Sequence, residues 1–311
     1  MGHFAKKPSA CRRSSQSGKL RPLSAKGKTV STAEHSIAVG SLTWFYREAV
    51  PAQPLDRPPV VLLHGLVSQS YGWRNILPAL ANQGFRAIAP DWIGGGRSDK
   101  PDRRDFAYTP DAFVEAIAAW LDALEIPTCT LVAQGFLGSA GIQFALRHRD
   151  RVQRLAILNA PIATAAQLPW RIRQLGLPLA GDMFTQDPLL VDRTLEGGGR
   201  YEVADEDLDV YRRPFLKSSD AGRSLLATVR NLQLPKVTAE IEAGLAEWSQ
   251  PGLLIWGRQD PWLPLAIAEA AVQRNSNLEL VSLDEVGHYP QEDWHEKVTE
   301  ALLPFLRRQD F

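Results

Sequence analysis

The residues best suited to chemistry stand where apolar runs end. His288 lies in Gly287-His-Tyr-Pro-Gln-Glu-Asp293, soon after the run Leu278–Leu283. Asp260 lies in Leu254-Ile-Trp-Gly-Arg-Gln-Asp-Pro261, soon after Leu253–Trp256. An acid hydrogen-bonded to one imidazole nitrogen fixes the tautomer and leaves the other nitrogen free to accept a proton, so a histidine and an acid of this kind suit general-base work where a fold brings them together. An Asp before Pro also begins ordinary turns. His64 closes Pro59-Val-Val-Leu-Leu-His64, where a histidine more often orients the following loop than reacts. Ser139, in Leu137-Gly-Ser-Ala-Gly141, carries half of a Gly-x-Ser-x-Gly pattern. Gly94-Gly-Gly96 has no following Lys-Ser/Thr and fails the phosphate-loop pattern. No ligand cluster or dinucleotide fingerprint appears, so no metal or organic cofactor is implied.

These residues need a scaffold. From His35 onward, short β-rich runs alternate with helical patterns. Strands are expected at Ser36–Val39, Ser41–Arg47, Pro59–His64, Phe85–Ala89, Thr128–Ala133, Val152–Leu158, Leu253–Trp256 and Leu278–Leu283. Helices are expected over Trp73–Gln83, from the cap Thr109 to Leu124, over Phe136–Arg147 and Leu265–Gln273, and from Gln291 to Arg307. The alternation predicts an α/β fold, a mostly parallel sheet with helices on both faces. Between Pro161 and Ala239 it breaks into Leu- and Arg-rich helical pieces, which reads as an inserted helical cap. The organisation is therefore an extension over 1–33, a core over 34–160 and 240–311, and a cap over 161–239. In such sheets ligands bind at the carboxyl ends of the strands. His64, Gly135, Asp260 and His288 all fall at or just after such ends, which is the strongest sequence argument for a site.

Composition narrows the classes. Thirty-five basic residues balance 35 acidic ones, so no global field draws the chain to nucleic acid or an anionic membrane. Cys11 and Cys129 make neither a disulfide framework nor a metal cluster, and Cys129 in a strand reads as a small core residue. No apolar run approaches the roughly 18 residues of a membrane span. The chain reads as soluble and cytoplasmic. Residues 1–33 hold eight Lys/Arg, six Ser and no Asp or Glu. That composition fits a disordered basic extension, and alternatively a transit peptide directing the chain to a plastid.

Three segments carry a family resemblance. They are His64-Gly65 with Ser70-Tyr-Gly-Trp-Arg-Asn-Ile76 and Ala89-Pro-Asp-Trp-Ile-Gly-Gly-Gly-Arg-Ser-Asp-Lys-Pro101, then Leu254-Ile-Trp-Gly-Arg-Gln-Asp-Pro261, then Gly287-His-Tyr-Pro-Gln-Glu-Asp293. In this order the chain resembles the α/β-hydrolase superfamily from about residue 36 to 308. Within it the likeness is to the capped haloalkane dehalogenase and epoxide hydrolase branch. The turn Gln134-Gly135-Phe136 looks most like a set found in cyanobacteria and plastid-bearing organisms. The resemblance implies that Asp260 is the triad acid, His288 the triad base, and the N–H groups of Leu66 and Phe136 the oxyanion or halide hole. It places Gly135 at the tip of the nucleophile elbow, where relatives carry Ser, Asp or Cys. A dehalogenase would usually have Asn or Trp halide partners where this chain has Leu66 and Phe136, and Leu137 replaces a small residue. These departures predict that the chain is neither a haloalkane dehalogenase nor an epoxide hydrolase of the aspartyl-ester type. A pocket for a small, largely apolar molecule is expected beside His64, Trp92, Trp262 and Tyr289. Two functions stay open: hydrolysis with the His288–Asp260 dyad as general base, or non-catalytic binding of a small ligand or protein in the same pocket. Nucleophilic attack by Ser139 is the remaining route, and its hydroxyl is otherwise expected to serve the first turn of its helix.

Overall fold

Apolar runs with no polar interruption become the inner strands of one sheet. A computed structural model describes residues 30–177, 181, 183 and 187–308. Most of the basic N-terminal extension therefore lies outside the described residues. The strands are β1 (Ala33–Val39), β2 (Leu42–Ala49), β3 (Val60–Leu63), β4 (Ala87–Pro90), β5 (Cys129–Gln134), β6 (Val152–Leu158), β7 (Gly252–Gly257) and β8 (Leu278–Leu283). They form an eight-stranded sheet in the order β1-β2-β4-β3-β5-β6-β7-β8. The β1–β2 hairpin and the β2–β4 pair are antiparallel, and every later pairing is parallel. Gly40 makes the hairpin turn at φ +60°, a conformation that costs glycine little.

Side chains alternate across this sheet and build a core on each face. In β3, Val61 and Leu63 join the larger core, while Val60 and Leu62 join the other. The smaller core packs under α1 (Ile76–Ala81) and the closing helix, with Leu80 and Leu302 fully buried. The larger core packs under α2 (Pro110–Ala123) and α3 (Gly135–Arg147). Helix α2 starts as its sequence dictates: the Thr109 side chain accepts from Ala112 N, and Pro110 fills the first turn.

Between β6 and β7 the chain leaves the sheet for α4 (Trp170–Leu175), α5 (Leu190–Gly198), α6 (Asp205–Lys217), α7 (Ser219–Asn231) and α8 (Leu234–Ala246). It then returns for α9 (Ala266–Arg274), the short α10 (Pro290–Asp293) and α11 (His295–Arg307). Two expected helices differ in detail. The first begins as a 3-10 turn at Ser70–Trp73, where the Asp91 carboxylate accepts from Ser70 N at 2.6 Å, and becomes α-helical only at Ile76. The last is broken at Trp294, because the Asp293 carboxylate turns back to accept from Gly287, Arg200 and Tyr201 amides. No described helix is long and apolar enough to cross a membrane.

Candidate functional site

The site is assembled at the carboxyl ends of β3, β5, β6, β7 and β8. After β7, Asp260 turns its carboxylate inward and is matched on both oxygens. Oδ1 accepts from the amides of Trp262 (2.8 Å) and Leu263 (3.1 Å). Oδ2 accepts from Asn159 Nδ2 (2.7 Å) and His288 Nδ1 (2.8 Å). A carboxylate with four donors is held in one orientation, and it keeps the His288 proton on Nδ1. His288 Nε2 is thereby left as a proton acceptor. The ring is buried among Phe136 (stacked, 5.5 Å between centroids), Trp262 (4.6 Å) and Tyr289 (edge-on, 5.0 Å).

Gly135 starts α3 directly from β5 at φ +69°. A Cβ there would lie 3.4 Å from His288 Nε2 and 3.1 Å from Gly65 Cα. Gly65 is equally required: its own Cβ would fall 2.7 Å from Gln134 Oε1. The two glycines let the ends of β3 and β5 touch. The amide of Phe136 lies in the first turn of α3, where helical N–H groups lack intrahelical acceptors. Among the described residues, neither it nor the Leu66 amide is engaged by another backbone group. Ser139 faces away from this chemistry, donating its hydroxyl to Phe136 O at 2.6 Å.

His64 is fixed within its loop. Nδ1 donates to Gly65 O (2.8 Å), Nε2 accepts from Trp92 N (3.3 Å), and Trp92 Nε1 donates to His64 O (2.9 Å). Burial holds its pKa below the usual histidine range, which suits a neutral ring with both nitrogens used. Burial likewise pushes the Cys129 thiol up to about 12.

A cavity of about 40 Å³ lies beside this constellation, under the cap. Its wall includes His64, Gly65, Leu66, Trp92 and Leu137 from the core, with Tyr211 and Phe215 from α6. The volume admits a few waters or a short apolar fragment, at roughly 10–15 Å³ of probe space per water. Gly135, Phe136 and His288 are not on this wall. Trp262 and Tyr289 enclose the His288 ring instead, and Trp262 also borders a separate surface groove with Trp170 and Arg200.

Several supporting residues carry no motif. Gln134, buried at the end of β5, accepts from Gly65 N (3.1 Å) and donates to His288 O (2.8 Å). It ties the β3 loop, the turn and the histidine loop together. Asn159, after β6, holds Asp260 and accepts from Gly257 N at 2.9 Å. Both are polar residues directly after apolar runs, Leu131–Ala133 and Leu155–Leu158, and that is the signal by which sequence reading could have found them. The cap is joined to the site by ions. Arg74 grips Glu292 through both oxygens (2.7 and 3.0 Å) and Asp207 of α6 (2.7 Å), while Tyr211 donates to Glu292. Burial raises the Glu292 pKa despite Arg74. Among the described residues no cluster of three or more His, Cys, Asp or Glu is arranged to hold a metal.

With this geometry in view, likeness to known proteins can be weighed. The profile of the alpha/beta hydrolase fold matches residues 58–293. The haloalkane dehalogenase of Mycobacterium marinum is 32% identical over 269 residues, covering 80% of this chain and 85% of that protein. Haloalkane dehalogenase 1 of Mycobacterium tuberculosis is 32% identical over 266 residues, covering 79% and 83%. The crystal structure of haloalkane dehalogenase DbeA from Bradyrhizobium elkani superimposes with a TM-score of 0.79 at 28% identity, covering 89% of this chain and 98% of that one. The chain belongs to the α/β-hydrolase fold family, on its haloalkane-dehalogenase-like branch. One expectation is corrected by these relatives. The departures at Gly135, Leu66, Phe136 and Leu137 were expected to set the chain outside the dehalogenases, yet near-full-length relatives at about a third identity are dehalogenases. The physical reason is that those departures alter four side chains, whereas the fold and the 2.8 Å bond between His288 and Asp260 are intact. These mycobacterial and bradyrhizobial relatives give no support to a cyanobacterial or plastid subgroup.

Proposed function

We propose that the protein hydrolyses a small, largely apolar molecule, with a short haloalkane as the leading substrate, using His288 as general base and Asp260 as the group that orients it. The observation carrying this reading is the 2.8 Å bond from His288 Nδ1 to Asp260, with Nε2 3.4 Å from the position that a side chain on Gly135 would take. A water in that space would give its proton to Nε2 as its oxygen attacks the carbon. The carbon–halogen bond breaks, and the halide leaves with the bonding pair toward the N–H groups of Leu66 and Phe136. The products are an alcohol, a halide ion and a proton passed on to solvent. General-base assistance of this kind is worth about 10²–10⁴-fold. The relatives support the substrate class, since they are haloalkane dehalogenases.

The test is halide release from a series of short chloro- and bromoalkanes by the wild type and His288→Gln. Release by the wild type and at least a hundredfold loss in the variant is expected. A single turnover in ¹⁸O-water, with enzyme in excess, distinguishes the route. Direct attack by water labels the first alcohol formed, whereas an ester on a protein carboxylate would give unlabelled alcohol first and overturn this mechanism. Equal release by wild type and variant would overturn the role of His288.

A further inference from the structure

The small cavity is not the only space beside α6. A groove of about 780 Å³ lies outside it, and Gln69, Gly96 and Pro214 border both. That shared neck follows from a proline. Pro214 sits inside α6 and has no N–H to give the carbonyl of Val210, one turn earlier. The core supplies the missing donor: Gln69 Nε2 donates to Val210 O at 2.8 Å. The helix is thus docked on the core at its proline, beside both the cavity and the groove.

The groove is cationic where the cavity is apolar. Its wall holds Arg47, Arg97, Lys100, Arg213 and Lys217. Arg47 and Arg97 are both paired with Glu34. Lys100 is spent on the carbonyls of Gly96 and Ser98, at 2.8 Å each, beside the charges of Asp91 and Asp99. The two other acids on the wall are also engaged: Asp99 accepts from Thr43 N at 2.7 Å, and Asp220 pairs with Arg223. Arg213 and Lys217 remain. They stand four residues apart on one face of α6, exposed, and neither has a carboxylate within ion-pair distance among the described residues. A chain that is neutral overall therefore places two unmatched cations in the groove that shares Gln69, Gly96 and Pro214 with its apolar cavity.

We propose that this groove binds a carboxylate, so that the preferred ligand is a small amphipathic acid: a short alkyl end in the cavity, and an anionic end held by Arg213 and Lys217. This rests on the substrate of the function proposed above reaching the cavity beside His64 and Leu66, but it does not depend on His288. A guanidinium fork and an ammonium on one face give a carboxylate charge-assisted bonds that a neutral amide cannot match.

The experiment is an NMR titration of the full chain with hexanoate and with its neutral isostere hexanamide, at low salt and at high salt. The wild type is expected to bind hexanoate more tightly, with the difference shrinking as salt rises. In the double variant Arg213→Ala/Lys217→Ala, hexanoate should weaken by about fivefold, the scale of two exposed ion pairs, while hexanamide stays unchanged. Both positions are exposed, so the fold should survive. No binding of hexanoate, equal affinity for the two ligands, or an unchanged double variant would each overturn the proposal. His288→Gln should keep the preference for hexanoate. A wild type that prefers hexanoate but releases no halide would leave the groove standing and remove the hydrolytic reading.

Discussion

Replacing Asp260 by asparagine should move a proton on His288. The carboxylate now accepts four bonds: the Trp262 and Leu263 amides on one oxygen, Asn159 Nδ2 and His288 Nδ1 on the other. A carboxamide can replace only one oxygen as acceptor. If its oxygen keeps the two backbone amides, its NH₂ meets Asn159 Nδ2 and His288 Nδ1. His288 can resolve its half of that clash by shifting its proton to Nε2, leaving Asn159 as the stranded donor. The flipped amide strands both backbone amides instead. Each stranded buried donor costs about 1–3 kcal/mol, so the unflipped arrangement with a shifted tautomer wins by one donor. The variant should therefore lose about 1–3 kcal/mol in urea unfolding. It should also lose about 10²–10⁴-fold in turnover, because Nε2 now carries a proton and cannot accept one. The assay is ¹⁵N NMR of histidine-labelled protein, which reads the protonated nitrogen directly and needs no substrate. His288 still protonated on Nδ1 in Asp260→Asn would refute the reasoning.

Other perturbations read other parts of the frame. Gln134→Leu leaves the Gly65 amide and the His288 carbonyl unpaired in the interior and should cost about 2–5 kcal/mol in urea unfolding, with turnover falling as the histidine loop loosens. Arg74→Met strands the Glu292 carboxylate and should destabilise by about 3–5 kcal/mol at neutral pH. The sign of its pH dependence is fixed: Glu292 has a folded pKa raised by burial, so the native state takes up the proton first as pH falls. The deficit of the variant should shrink toward pH 4.5, the ordinary value for glutamate, and be nearly gone below it, as unfolding at pH 4 and 7 would show. His64, with a folded pKa below 6.5, contributes stability above that pH that is lost as pH falls, and His64→Gln should flatten the acid limb of the stability profile.

What could be read from the chain follows from the range of each interaction. Strand β6 at Val152–Leu158 and strand β8 at Leu278–Leu283 fall where their apolar runs begin and end, because burial on a sheet is a local pattern. Thr109 announces α2 for the same reason. The Asp260–His288 contact joins residues 28 apart, and it was legible through the two motifs that carry the family resemblance, whose strands the structure sets side by side. Longer-range features carried no local mark. Gln134 meets His288 across 154 residues, and Glu292 meets Arg74 across 218. Nor does any periodicity show that Trp262 and Tyr289 would close around the His288 ring, since an aromatic at a strand end reads the same facing a cavity or a neighbour. The break at Trp294 depends on where Asp293 finds its amide partners, two of them in the cap.

Gly135 connects backbone strain to chemistry, and restoring a side chain there tests both. At φ +69° any non-glycine residue carries strain of about 1–3 kcal/mol. Its Cβ would also press on Gly65 Cα at 3.1 Å, so the β3 loop must give by a few tenths of an ångström. Gly65 cannot yield toward Gln134, because its own approach to that side chain is already closed to a methyl group. Gly135→Asp should accordingly unfold at lower urea than the wild type. Yet the same geometry sets the new carboxylate near His288 Nε2, since the Cβ position is 3.4 Å from that nitrogen. The carboxylate could then attack a haloalkane carbon itself, forming an ester as the halide departs, and His288 would be needed only to bring water to that ester. In Gly135→Asp/His288→Gln the ester should persist and add the mass of the alkyl group to the intact protein. In the single variant Gly135→Asp, first-turnover alcohol formed in ¹⁸O-water should be unlabelled, opposite to the wild type. A Gly135→Asp protein as stable as the wild type would show that the turn is not strained. A folded double variant that gains no alkyl mass from reactive bromoalkanes would show that the space beside Nε2 does not receive the substrate carbon, and the direct attack by water proposed for the wild type would fall with it.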